Sequence, residues 1–215
     1  MMAEVTARYR HDVATEIVST GVVAILRCAS ADEAIERGRV MVDAGIRVLE
    51  VSLTTPDALR AVRSLAALDA LVGAGTVLSA AGADASIRAG ARFLVSPNVD
   101  VAVISTAHRH GAAAIPGAQT PTEAIAALEA GADLVKIFPA GALGLGWLRA
   151  VHEALPYLPL VPTGGVGLDE VDEWCAAGAA AVGLGRTLTS GDLDDVRERS
   201  TLLLRSRRGQ GAQAH

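Results

Sequence analysis

Residues 112–139 decide the fold. The stretch begins with the apolar run Ala112-Ala113-Ala114-Ile115-Pro116-Gly117. It continues through Thr120-Pro121-Thr122-Glu123 and an Ala- and Leu-rich segment to Gly131, and it ends with Leu134-Val135-Lys136-Ile137-Phe138-Pro139. Thr120 with Glu123 three residues on is a capping box, and Pro121 occupies the first helical position, where no amide hydrogen is needed. Gly131 suits the left-handed residue that ends a helix. The order is therefore strand, helix, strand. A connection of this length carries a crossover helix, which makes the two strands parallel.

The same unit recurs in both directions. Short apolar or β-branched runs stand at Val22–Arg27, Val48–Leu53, Leu71–Thr76, Phe93–Pro97, Ala112–Gly117, Leu134–Pro139, Leu160–Gly165 and Ala180–Gly185, spaced by 19–26 residues. Ser30-Ala31-Asp32-Glu33 reads as a second capping box, and Thr55-Pro56 as a third helix start. Gly45, Gly90, Gly111 and Gly178 repeat the stop at Gly131. The joints Arg88-Ala89-Gly90-Ala91, Glu129-Ala130-Gly131-Ala132 and Ala176-Ala177-Gly178-Ala179 form a weak internal repeat of two units. Eight alternating strand–helix units with apolar strands predict an α/β fold, a closed (β/α)8 TIM barrel. An extra N-terminal helix over about Val5–Ser19, apolar at Val13, Ile17 and Val18, precedes the first strand. One domain is expected over residues 1–205, followed by a polar, disordered tail over 206–215.

Composition removes several function classes. The net charge is −5 and aromatics are 3% of 215 residues, against a nucleic-acid partner. The most apolar long window, Ser64–Ala83, is cut by Gly73, Gly75 and Gly82 and shifts from helical to strand character, against a membrane span. The first residues show no basic segment leading into an apolar one, so no signal peptide is expected, and the chain reads as cytoplasmic. Cys28 and Cys175 have no metal or redox spacing and read as reduced thiols. His11, His108, His110, His152 and His215 fall in helices, a loop and the tail, where they read as surface residues. No metal site is expected.

The chemistry sits elsewhere. Of 19 Lys and Arg residues, Lys136 alone is Lys, and it stands inside an apolar strand. A guanidinium keeps its proton, whereas an ammonium can lose one when buried, so a lone Lys among Arg suggests amine chemistry such as a Schiff base. The alternative is a Lys that extends its charge to water from a strand end. Glu50, in Val48-Leu49-Glu50-Val51, is the second unusual residue. It is either half of a buried ion pair with Lys136 or an acid/base group beside it. In a barrel the functional side chains gather at the C-terminal strand ends. Those positions hold Arg27, Thr76, Ser96-Pro97, Pro116-Gly117, Phe138, Thr163-Gly164-Gly165 and Gly183-Leu184-Gly185-Arg186. The glycine-rich ends of strands seven and eight offer amides to a phosphate. Arg186 either adds a charge-assisted contact or is a solvated surface residue.

Taken in order, Val23–Arg27, Leu49-Glu50-Val51, Gly73–Val77, Val95-Ser96-Pro97, Pro116-Gly117, Thr120–Glu123, Lys136–Pro139 and Pro162–Val166 resemble the class I aldolases that act on 2-keto-3-deoxy-6-phosphogluconate (KDPG) and 4-hydroxy-2-oxoglutarate (KHG). The resemblance implies cleavage of a phosphorylated keto-acid sugar to pyruvate and glyceraldehyde 3-phosphate, or of 4-hydroxy-2-oxoglutarate to pyruvate and glyoxylate, without a cofactor. It implies that Lys136 forms the Schiff base and Glu50 moves protons. Arg27 and Thr76 would hold the pyruvyl carboxylate, and Pro97 and Phe138 would shape the pocket. Gly164, Gly165, Gly185 and Arg186 would receive phosphate. A homotrimer is also implied.

The chain departs from many relatives at Thr54, where they carry Arg. It departs again at Ala140-Gly141, where they carry an acid, and at Arg186, where some carry a small hydroxyl residue. The acceptor end therefore stays open between phosphogluconate, phosphogalactonate and hydroxyoxoglutarate types, with Thr163 leaning towards the first. A phosphosugar epimerase or isomerase working without an imine, and a non-catalytic barrel, are the competing readings.

Overall fold

The structure, a computed structural model, describes residues 9–211, with side chains through Ser206. Its strands are β1 (Val22–Leu26), β2 (Val48–Ser52), β3 (Leu71–Gly75), β4 (Phe93–Val95), β5 (Ala113–Ile115), β6 (Gly117–Ala118), β7 (Val135–Ile137), β8 (Leu160–Pro162) and β9 (Val182–Leu184). Its helices are α1 (Arg10–Thr20), α2 (Ala31–Asp43), α3 (Ala58–Leu65), α4 (Ala80–Arg88), α5 (Val101–Arg109), α6 (Pro121–Glu129), α7 (Ala140–Ala154), α8 (Val171–Ala176), α9 (Arg186–Thr189) and α10 (Leu193–Gly211). Every strand pairing is parallel. Six strands form a curved sheet in the order β5-β4-β3-β2-β1-β9, and three more form β6-β7-β8.

Each of the eight expected runs contains a strand, the fifth as two pieces. Pro116 causes the break: it has no N–H to give to a ladder. Its carbonyl still accepts from the Lys136 amide at 2.9 Å. So β5 pairs with β4, while β6 pairs with β7. A parallel bridge between Thr163 and Gly183 connects the end of β8 to β9.

The strands are apolar throughout because both faces are buried. Alternate residues point outward and pack under the helices: Leu26, Leu49, Val51, Ile137 and Leu184 meet Met41, Val62, Leu65 and Leu148. The intervening residues Val23, Ile25, Phe93, Val95, Ile115 and Val161 point inward and form a second cluster with Val13 and Ile17 of α1. Both α1 residues are fully buried. Each contributes about 1.5–3 kcal/mol, enough to hold a short helix against the strands. Val18, expected on the same face, is exposed. The stripe follows the four-residue step from Val13 to Ile17, and Val18 lies a further 100° around the helix. Residues 5–8 of the expected helix lie outside the described part of the chain.

Asp133, just before β7, fixes α1 in place. Its buried carboxylate accepts from the Ala114 amide (2.9 Å) and the Arg10 guanidinium (3.0 Å), and it lies 3.2 Å from His108 Nε2. His108 is therefore a half-buried member of this cluster and not the surface residue expected from its position in α5.

The capping signals hold with adjustments. Thr120 and Glu123 form the expected box, with the Glu123 amide donating to Thr120 Oγ1 and the Thr120 amide to Glu123 Oε2. Ser30 Oγ accepts from the Glu33 amide, but Glu33 reaches past Ser30 to the Ala29 amide. Thr55 does not cap α3. Its hydroxyl accepts from the Cys28 amide, and the helix begins at Ala58 behind Asp57. The backbone stays helical through Gly211, where the sequence suggested disorder from Ser206. Polarity alone does not end a helix already nucleated, because each added residue gains a hydrogen bond. Residues 212–215 of the expected tail lie outside the described part. Among the described residues no helix is long and apolar enough to cross a membrane.

Candidate active site

Inward-facing positions place the unusual residues together. Glu50 is aligned with Ile25 and Gly73 on β2, and Lys136 with Gly117 and Val161 on β7. Both are buried, Glu50 at 2% and Lys136 at 7% exposure. They line one small cavity with Val95, Ile115, Val161 and Thr163. It measures about 10 Å³, room for one water molecule. No ion pair within 4.0 Å joins the two side chains among the described residues. Glu50 Oε1 is buried without a hydrogen-bond partner. An unpartnered carboxylate oxygen is expensive in an apolar wall. A structural ion pair would have removed that cost. The observed arrangement instead leaves an unpartnered acceptor on a residue that lines the same cavity as the amine.

Gly75 makes room for this carboxylate. A Cβ at that position would lie 1.8 Å from Glu50 Oε1. On the other side, Lys136 Nζ lies 5.3 Å from the centre of the Phe138 ring, a cation–π contact two residues along the same strand face.

Above this pair opens a second cavity of about 300 Å³, large enough for a small phosphorylated acid. Ile25, Arg27, Lys136, Phe138, Thr163, Gly164, Gly185, Arg186 and Thr189 line it. Gly164 has φ +83°, and a side chain there would meet the Phe138 ring at 2.9 Å, so only glycine leaves that wall open. Gly185 precedes α9, whose first amides have no partner within the helix. Three expected substrate-binding residues, Thr76, Pro97 and Gly165, lie outside the lining of this cavity. Pro97 borders a separate groove beyond Phe138 with Asn98, Gly117 and Glu123. Gly165 packs against Gly141 at the start of α7.

Thr76 reaches the site through Arg27, whose Nη2 lies 3.5 Å from its hydroxyl. Thr76 has φ +58°, a strained conformation for a β-branched residue. Its hydroxyl lies 3.1 Å from that of Ser52, which lies 2.8 Å from Thr54. The sequence reading missed Ser52. Its place two residues after Glu50 puts it on the same inward face, a signal that was available. Ile25 and Thr189 were also missed.

Cys28 is held inert. Burial, reinforced by Glu33 and opposed by Arg37, pushes its thiol up to about 11. Among the described residues no group of His, Cys, Asp and Glu is arranged to hold a metal.

The family model described as KDPG and KHG aldolase matches residues 13–200. The 2-dehydro-3-deoxy-6-phosphogalactonate aldolase of Escherichia coli (strain K12) is 38% identical over 170 residues, covering 77% of this chain and 83% of that protein. The 2-dehydro-3-deoxy-phosphogluconate aldolase of Treponema pallidum is 38% identical over 160 residues, covering 72% and 75%. The crystal structure of KDPG aldolase from Legionella pneumophila with pyruvate captured as a covalent carbinolamine superposes with a TM-score of 0.80. It has 27% identity and covers 91% of this chain and 98% of that one.

Proposed function

The chain belongs to the KDPG and KHG aldolase family, and on that premise we propose that it is a class I aldolase cleaving a 2-keto-3-deoxy-6-phospho sugar acid to pyruvate and glyceraldehyde 3-phosphate at Lys136. The observation that carries the reading is the pairing of a lone buried amine with an unpartnered buried carboxylate oxygen on one cavity.

Neutral Lys136 Nζ adds to the C2 carbonyl, and loss of water from the carbinolamine leaves an imine. Glu50 carries the protons in both steps, through the single water the cavity admits. The C4 hydroxyl then loses its proton to Glu50 as the C3–C4 bond breaks. The bonding electrons pass into the imine to give an enamine, and glyceraldehyde 3-phosphate departs. Return of a proton to C3 and hydrolysis of the imine release pyruvate and regenerate the amine. Arg27, positioned by Thr76, receives the carboxylate, and Phe138 walls the pocket. Gly164, Gly185 and Arg186 face the phosphate end. Pro97 and Gly165 shape the site from behind. The reading takes the fold as the full (β/α)8 barrel with α1 as an added helix, one domain over residues 1–205. The bridge from Thr163 to Gly183 supports that closure. A homotrimer in the cytoplasm follows from the family resemblance.

A second reading concerns the substrate's C4 configuration. The two relatives of 38% identity divide between the epimers, the phosphogalactonate aldolase covering 77% of this chain and the phosphogluconate aldolase 72%. Thr163, standing before Gly164-Gly165 as the resemblance to the phosphogluconate type has it, leans towards the gluco epimer. Pyruvate release measured from both epimers and from 4-hydroxy-2-oxoglutarate tests the function. Turnover of a phosphorylated epimer supports it, and no turnover of any of the three contradicts it.

A further inference from the structure

The segment between β9 and α10, Gly185-Arg186-Thr187-Leu188-Thr189-Ser190-Gly191, forms the phosphate-facing side of the large cavity; α9 and the buried Leu188 hold its middle, yet nothing in its own sequence donates to the carbonyls of Thr189 and Gly191. A side chain far away in sequence does. Arg37 of α2 is largely buried, and all three arms of its guanidinium are used. Nη1 donates to the Thr189 carbonyl at 2.7 Å, Nη2 to the Gly191 carbonyl at 2.9 Å, and Nε to Glu33 Oε1 at 2.9 Å. Thr189 passes the restraint on. Its hydroxyl donates to the Gly185 carbonyl at 3.2 Å, and its side chain lines the cavity. From the other side Arg199 of α10 reaches the Ser190 carbonyl and hydroxyl.

Glu33 holds the near end of the chain. The Ala29 amide first, and the Arg37 guanidinium second, keep its carboxyl below the usual carboxylate range, so Glu33 stays ionised at neutral pH. A planar fork spreads its donors over three nitrogens and so spans two carbonyls and a carboxylate, whereas the three donors of an ammonium radiate from a single atom.

We propose that Arg37 is a positioning residue that presets the Gly185–Gly191 turn for the terminal phosphate of the substrate. It touches neither the keto group nor Lys136, so its influence falls on phosphate recognition and leaves imine chemistry alone. The proposal rests on the phosphate reading of this cavity given above. Preorganised amides bind an anion without the cost of ordering the loop first.

The test compares Arg37→Met, which keeps the side-chain stem, with the wild type on the phosphorylated keto acid and on 4-hydroxy-2-oxoglutarate, which has no phosphate. KM for the phosphorylated substrate is expected to rise about ten-fold, the equivalent of roughly one hydrogen bond to phosphate no longer made when the segment is not preset. Its kcat and the KM for 4-hydroxy-2-oxoglutarate should stay within about two-fold. Competitive inhibition by inorganic phosphate should weaken in parallel. Arg37→Lys should recover only part of the loss. Equal losses on both substrates, or an unchanged KM for the phosphorylated one, would overturn the proposal. If Arg37→Met does not fold, Glu33→Gln replaces it. That variant keeps Arg37 but removes its charged partner, and a phosphate-selective rise in KM is expected there too, with its absence overturning the proposal. Trapping of pyruvate on the variant separates the two levels of inference. A wild-type enzyme that forms no pyruvate adduct fails the aldolase reading, whereas a variant that traps pyruvate normally but shows no phosphate defect fails only the role of Arg37.

Discussion

Replacing Gly75 with Ala should disable the enzyme without unfolding it. The new Cβ would stand 1.8 Å from Glu50 Oε1, 2.5 Å from its carboxyl carbon and 2.8 Å from Cγ, where ordinary contact begins at 3.4 Å. The oxygen therefore has to retreat by about 1.6 Å, away from β3 and out of its position beside the small cavity. Overpacking one methyl in a buried wall costs about 1–3 kcal/mol. For a chain of this size each kcal/mol lowers Tm by about 2–4 °C, so the variant should remain folded at 25 °C. A misplacement of this size in an acid/base group costs on the order of 100-fold in rate. The assay pairs a thermal melt with single-turnover pyruvate release and with trapping of pyruvate on Lys136. A modest drop in Tm, retained binding of pyruvate and a loss of kcat near two orders of magnitude are expected. A folded Gly75→Ala variant with kcat close to wild type would refute the claim that the Glu50 carboxylate works from its observed position.

Three further outcomes follow from other parts of the molecule. Lys136→Arg should abolish cleavage while leaving the fold intact, because a guanidinium does not add to a ketone; measurable turnover in the purified variant would count against an imine. Asp133→Ala should lower stability by about 2 kcal/mol, since it leaves Arg10 and the Ala114 amide without their acceptor, while kcat changes little; a selective loss of kcat would place that cluster in the catalytic machinery. Cys28, with its thiol pushed up to about 11 by burial, should resist iodoacetamide at pH 8 in the folded state and react only as the pH nears that value. The sign for stability is the same: the folded state favours the protonated thiol, so this contribution is complete below the unfolded thiol's pKa and fades as pH rises towards 11.

The strand positions were legible because each parallel strand is apolar on both faces and is bounded by Gly or Pro, which interrupts the helical pattern on either side. Lys136 and Glu50 were legible for the opposite reason, as ionisable residues in runs that otherwise exclude charge. Pairing was harder to read. Nothing in the run around Pro116 announces that its two halves join different neighbours, since that depends on which ladder needs the missing amide. Arg37 was invisible for a related reason. Its partners are backbone carbonyls of Thr189 and Gly191, which carry no side-chain signature, and they lie more than 150 residues away. Pro97 and Gly165 are expected at the site from their strand ends; Pro97 borders the neighbouring groove that Phe138 also lines, and Gly165 packs against Gly141. His108 shows the same limit: its position in α5 could not reveal the buried Asp133 waiting across from it.

The central claim is that Lys136 is the amine that bonds to substrate. Incubating the protein with pyruvate and borohydride and mapping the adduct by peptide mass tests this directly, because the only other amine is the chain's N-terminus. The account predicts one reduced adduct, on the peptide that carries Lys136, formed at a rate that Glu50→Gln slows. An unmodified Lys136 after full exposure to pyruvate and borohydride would contradict it.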